Sequence, residues 1–151
     1  MVSSILNMEN YKAYLDYAKG IEEVSPVMAL YCKIYYAEKL LESKKQTKST
    51  IMQQNESIYI NDMLKQIHKT HEALGLKREQ KQQLVEQYCG KSYEKTIGET
   101  LQPGFDKEGC AGRLRTVANF IDVLTVFSPL TPEWIQKSIY VLCTENRGRM
   151  H

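Results

Sequence analysis

The sequence is poor in the residues that interrupt helices. Only 8 glycines and 4 prolines occur among its 151 residues, which favours long helices over many short strands joined by turns. It also lacks an apolar run of the roughly 18 residues that a membrane span needs. The N-terminus has no basic start followed by an apolar stretch, so no signal peptide is expected. These absences predict an all-α protein of the cytoplasm.

An excess of charge of one sign is also missing. Lys and Arg number 20 against 18 Asp and Glu, which leaves a net charge of +2. Such a balance gives no overall field to attract a nucleic-acid backbone or an anionic membrane. The length fits one domain or two very small ones, and 42% hydrophobic residues is ordinary for a globular protein.

Motifs of catalysis and metal binding are absent too. The sequence has no glycine-rich phosphate loop, no Gly-x-Ser-x-Gly and no His-Glu-x-x-His. The four cysteines are scattered without Cys-x-x-Cys spacing, so we expect reduced thiols that act as small hydrophobic residues. His68 and His71 are spaced for a shared metal ion, but no further ligand is evident. We therefore expect no enzyme activity, metal or cofactor.

One short segment allows two interpretations. Gly109-Cys-Ala-Gly-Arg113 has the small residues of an anion loop, with a cysteine that a helix N-terminus would activate. It is equally the first turn of a helix in which small residues allow close packing. We favour the packing interpretation.

Apolar residues that recur at spacings of three and four predict amphipathic helices along the whole chain. Ser25-Pro26 and Thr131-Pro132 are helix-start signals, and Gly75 suits a left-handed C-terminal cap. A solvated linker is predicted at 43–54, where Lys44, Lys45 and Lys48 lie. The predicted helices are 8–22, a second from 26 to the linker, 57–74, a region from 77 with a candidate break at Gly90, 106–127, and a last one from 132.

These helices fall into two clusters, each about the size of a three-helix bundle. The fold class is therefore all-α, with two small three-helix modules joined by a linking helix. The predicted domains are a first module at 1–74, the linking helix at 75–90 and a second module at 91–151. Between neighbouring helices such a bundle leaves a groove in which an amphipathic partner helix can lie.

Two segments carry recognisable motifs. The first reads Val24-Ser-Pro-Val-Met-Ala-Leu-Tyr-Cys-Lys-Ile-Tyr-Tyr-Ala37. The second is Ala111-Gly-Arg113, followed by Phe120-Ile-Asp-Val-Leu-Thr-Val-Phe127 and Leu130-Thr131. In this order and spacing they resemble the LYST-interacting protein five family, whose fungal members activate the vacuolar-sorting AAA ATPase. The resemblance covers about residues 10–145.

The resemblance implies a pair of MIT (microtubule-interacting and trafficking) three-helix modules. It also implies a non-catalytic adaptor that binds C-terminal helical tails of ESCRT-III subunits. Such an adaptor regulates the ATPase in multivesicular-body sorting and is recruited to endosomal membranes by its partners. The family's C-terminal region, which binds the ATPase and dimerises, is absent here, so we expect a monomer. The sequence also departs from the family in a shorter stretch between Arg113 and Ile121, and in Cys143 where relatives carry tryptophan.

The resemblance also points to a binding groove in the first module. It places the aliphatic pair of the third helix at Leu64 and Ile67. Lys65 and His71 nearby are candidates to pair with an acidic tail, and Tyr35 on the second helix is a candidate for the opposite wall. Periodicity alone favours the alternative that both aliphatic residues are core. If the groove interpretation holds, alanine at either position abolishes tail binding and lowers the melting temperature only slightly.

A second function remains open at this stage. Plant glucan synthases carry a related N-terminal domain, so the chain is alternatively a structural helical scaffold of another membrane-trafficking or polysaccharide-synthase complex. Titration with ESCRT-III tail peptides separates the two functions.

Overall fold

The computed structural model describes residues 10–46 and 54–149. This part of the chain forms six α-helices and no strand, which confirms the all-α prediction. A short 3₁₀ turn, Leu124–Val126, follows the fifth helix. The helices are α1 (Ala13–Ile21), α2 (Pro26–Gln46), α3 (Gln54–Leu74), α4 (Arg78–Thr100), α5 (Lys107–Val123) and α6 (Pro132–Arg149).

The chain divides into two compact units, Met1–Lys81 and Gln82–His151. The division falls inside the range predicted as a linking helix and lies within α4. That helix begins at Arg78 and continues through Gly90 without interruption, so the candidate break at Gly90 does not occur. The assignment of the two units as MIT modules stays a prediction.

Local signals set the ends of the helices in the first unit. The Met28 N–H donates to Ser25 Oγ at 3.2 Å, which satisfies one of the free donors at the start of α2. Gly75 follows α3 with a φ of +62°, a conformation that glycine adopts without a steric penalty. The predicted start signal and the predicted cap are therefore both confirmed.

The predicted linker is shorter than expected. α2 extends to Gln46 and α3 begins at Gln54, so part of the range 43–54 is helical. Lys44 is not a solvated linker residue, because its Nζ lies 2.7 Å from Glu56 Oε2 on the next helix. Lys48 lies outside the described residues.

α2 is the central helix of the first unit. It packs against both α1 and α3, as its broadly apolar sequence predicts. The Tyr14 ring of α1 lies 4.7 Å from the Tyr35 ring of α2, measured between centroids. Six consecutive side chains of α2 are buried, namely Val27, Met28, Ala29, Leu30, Tyr31 and Cys32.

The second unit is built on the packing of α5 against α6. Apolar residues of α5 that recur at spacings of three and four supply four members of its buried cluster, and Val141 of α6 completes it. The members from α5 are Leu114, Val117, Ala118 and Ile121. Thr131 caps α6 through its Oγ1, which accepts the Trp134 N–H at 3.4 Å. On α6 the Lys137 Nζ lies 4.8 Å from the Trp134 ring centroid.

The four cysteines differ in burial, which predicts that they differ in reactivity. Cys32, Cys89 and Cys110 are buried thiols, whereas Cys143 is exposed. Burial raises the pKa of the Cys32 thiol to about 12, so the reactive thiolate is scarce at neutral pH. In the folded protein we expect iodoacetamide to label Cys143 quickly and the buried thiols slowly, as read by intact mass. Cys143→Ser should remove the fast label, and rapid labelling of a second cysteine would contradict the prediction.

Candidate peptide-binding site

The exposed face of α3 carries a shallow, largely open depression in the first unit, which we call the α3-face cleft. Leu64 lies in it with 40% of its surface exposed, which is high for a leucine. The cleft has a volume of about 430 Å³. Its lining residues recur at spacings of three and four, so they share one helix face. They are Asn61, Leu64, Lys65, His68 and Lys69.

A second cleft, of about 320 Å³, lies beside α3 on the side of α2. Lys33 of α2 and Glu22, just after α1, line it opposite the residues of α3. Ile67 is its most buried lining residue, with 9% exposed. The lining residues from α3 are Met63, Gln66, Ile67, Lys69 and Thr70.

The structure distributes the predicted aliphatic pair over these two clefts. Leu64 and Lys65 lie together in the first, and Ile67 lies in the second. The two aliphatic residues are one turn apart, but their burial differs because only Ile67 points toward α2. A partner that contacts both must therefore lie across α3.

Tyr35 lies among other aromatic rings. Its ring packs against Tyr14 and is 6.0 Å from the Tyr11 ring centroid. Lys39 Nζ is 5.3 Å from its ring centroid. Tyr35 lines neither cleft, so its contacts join α1 to α2.

His71 contacts groups inside the first unit. Its ring meets the Tyr31 ring edge to face at 5.8 Å. Lys81 Nζ lies 2.8 Å from His71 Nδ1. Because an ammonium group only donates, Nδ1 is the acceptor and the imidazole is neutral. Burial lowers the pKa of His71, and the charges of Lys81 and His68 lower it further.

His68 is engaged on the surface of α3. Its Nε2 lies 3.0 Å from Glu72 Oε1 one turn further along the helix. Within the described ranges, no three His, Cys, Asp or Glu residues are grouped as metal ligands. None of the described helices is long and apolar enough to cross a membrane.

The comparison with family models identifies the chain. The model described as "Vta1 like" matches residues 10–144. The chain belongs to the Vta1-like family. Members are non-catalytic regulators that bind ESCRT-III and the vacuolar-sorting ATPase Vps4, which they activate in multivesicular-body sorting at endosomes. No curated protein matches the chain significantly.

Family membership confirms the resemblance seen in the two sequence motifs, and the structure shows where those motifs lie. The first forms α2, the buried centre of the first unit. Much of the second forms α5 and contributes to the core of the second unit. Both motifs of this Vta1-like chain are therefore mainly packing signals. Neither motif contains a residue that lines the α3-face cleft.

Sequence reasoning missed several residues that line the clefts. Asn61 and Lys69 follow the same spacing as Leu64, so a helical wheel was enough to find them. In a helical projection Met63 lies beside the apolar face of α3, which does not mark it as a cleft residue. Lys33 and Glu22 come from outside α3, and only the packing of the Vta1-like unit brings them to the second cleft.

Acidification is expected to destabilise the first unit through His71. Its pKa in the folded chain is below the ordinary value of about 6.5. The neutral His71 side chain therefore contributes fully to stability above about pH 6.5. This contribution is lost as the pH falls from about 6.5 toward the lowered pKa of the folded state. A protonated Nδ1 also cannot accept the hydrogen bond from Lys81.

Urea unfolding at a series of pH values measures this effect. His71→Gln keeps an acceptor for Lys81 but does not titrate, so the free energy of unfolding of the variant should fall less than that of the wild type below about pH 6.5. Identical pH profiles for the two proteins would contradict the assignment.

Proposed function

We propose that the first unit binds the C-terminal helical tails of ESCRT-III subunits, and that the chain is a non-catalytic adaptor in the regulation of Vps4. The observation that best supports this function is an exposed leucine on α3 with two lysines beside it. Leu64 is 40% exposed, and Lys65 and Lys69 line the same cleft. We propose that the adaptor works at endosomal membranes, to which its partners recruit it.

The proposed contact uses both clefts of α3. Leu64 and Ile67 are three residues apart, which is about 4.5 Å along a helix axis. A partner helix that crosses α3 can therefore place one apolar side chain on Leu64 and the next against Ile67 and Met63. Burying this apolar surface would supply most of the affinity.

Charge gives the proposed contact its orientation. Lys65 and Lys69 present two cations beside Leu64, which favours a tail with carboxylates next to its apolar residues. Such rim charges mainly affect the association rate and the salt dependence. The affinity of the tail should therefore fall as the salt concentration rises.

His71 and Tyr35 have supporting roles in this proposal. His71 is bonded to Lys81, and Tyr35 packs on Tyr14. We propose that they hold α3 and α2 in position, and that Leu64, Lys65 and Ile67 make the contact with the tail.

Titration with fluorescent tail peptides tests the proposal. A peptide from the C-terminus of each ESCRT-III subunit is added to the whole chain, and anisotropy is recorded. We expect saturable binding of at least one tail, while a scrambled peptide of the same composition binds weakly. If every tail behaves like its scrambled control, the adaptor function is wrong and the scaffold alternative is favoured.

A further inference from the structure

The second unit contains a cavity for which the proposed function has no use. Its volume is about 260 Å³, and it lies where the end of α4 and the start of α5 meet α6. Cys110 and Leu114 of α5 lie deep in it, with 1% and 2% of their surfaces exposed. Tyr140 of α6 is 46% exposed and lies nearer the opening.

The loop between α4 and α5 supplies further apolar walls. Leu101 and Phe105, at the two ends of this loop, both line the cavity. The turn between them depends on Gly104, whose φ of +73° is strained for other residues. Leu101 is 74% exposed, so a bound apolar group would remove much of its surface from water.

The charged groups of the cavity are of one sign. Lys107 and Arg147 line it, and no carboxylate does. Neither cation forms an ion pair with another residue of the described ranges. Two acidic residues nearby pair with other cations, since Glu99 lies 2.7 Å from Arg113 and Glu145 lies 3.0 Å from Arg115.

From this arrangement we propose that the second unit binds a medium-chain fatty carboxylate. The acyl chain lies on Leu114 between Leu101 and Tyr140, and the carboxylate meets Lys107 and Arg147. The cavity is slightly smaller than the usual small-molecule site of about 300–1,000 Å³, which suits a single unbranched chain. This binding is independent of the tail contact proposed for the first unit.

Calorimetric and NMR titrations with decanoate, below its micelle concentration, test the proposal. We expect saturable binding of decanoate, with the largest amide shifts in the loop 101–106 and in α6. Decanol should bind at least about tenfold more weakly because it lacks the charge, and decylammonium should not bind. Equal binding of the three compounds, or shifts confined to other parts of the chain, would overturn the proposal.

Variants separate the cavity from nonspecific attraction. Lys107→Gln and Arg147→Gln are each expected to weaken decanoate binding about tenfold, because each removes a charge-assisted contact. Lys91→Gln is the matched control, since Lys91 is exposed and does not line the cavity. Circular dichroism confirms that each variant is folded. If the control weakens binding as much as the two cavity variants, the carboxylate has no defined site and the proposal is wrong.

Discussion

Leu64→Asp is expected to remove tail binding and leave the chain folded. The substitution replaces the exposed leucine of the α3-face cleft with a carboxylate that repels an acidic tail. Truncation of a central contact residue costs about 2 kcal/mol or more of binding energy, which is about thirtyfold in Kd. Because Leu64 is 40% exposed, the loss of folding stability should be small and should come mostly from the lower helix propensity of aspartate.

Ile58→Asp provides the matched control for this experiment. Ile58 lies on the same helix, is 52% exposed and lines neither cleft. The same chemical change there should leave the tail affinity within about twofold of the wild type, since exposed rim positions contribute little. Fluorescence anisotropy gives both affinities, and thermal melts give both stabilities. Equal loss of binding in the two variants would show that overall charge, not the cleft, accounts for the effect.

Ile67→Ala should behave differently from a substitution at Leu64. Ile67 is only 9% exposed, so its truncation leaves a gap in the packing of the first unit and costs about 2–4 kcal/mol of stability. The sequence-based expectation of a small change in melting temperature is therefore revised for this residue. A loss of tail binding in Ile67→Ala alone does not distinguish a contact from a loss of folding, and Leu64 provides the cleaner test.

Ile121→Ala is expected to have the largest effect on stability. Ile121 is fully buried in the second unit, where it packs with Leu114, Val117, Ala118 and Val141. Loss of this side chain leaves a cavity between α5 and α6 and should cost about 2–5 kcal/mol. For a unit of this size, the melting temperature should fall by about 10 °C or more.

Ile139→Ala is the control for that measurement. Ile139 lies on α6 with 56% of its surface exposed, so its truncation should change stability by less than about 0.5 kcal/mol. Urea denaturation followed by circular dichroism compares the two variants. Similar midpoints for Ile121→Ala and the wild type would contradict the packing described for the second unit.

The parts of the fold that sequence predicts well are those set within a few residues. Ser25 and Met28 are three residues apart, as are Thr131 and Trp134, so each cap is visible as a short pattern. Gly75 is similarly recognisable, because few other residues accept its positive φ. Periodicity then assigns the buried faces of α2 and α5.

Local sequence patterns do not predict contacts between residues that are far apart in the chain. Lys44 pairs with Glu56, 12 residues away, and no local pattern in the predicted linker indicates this contact. His71 carried no sign in the sequence that it would accept a hydrogen bond from Lys81. The division of Leu64 and Ile67 between two clefts likewise depends on where α2 lies against α3, which helical spacing does not specify.

The placement of the single tryptophan gives the second unit an optical reporter of its own. Trp134, the chain's one tryptophan, belongs to the second unit, whereas the packed Tyr14 and Tyr35 rings belong to the first. Tryptophan emission therefore follows the second unit, and the near-ultraviolet dichroism of the tyrosines includes the first. Unlabelled protein can thus show whether the two units melt together or in separate steps.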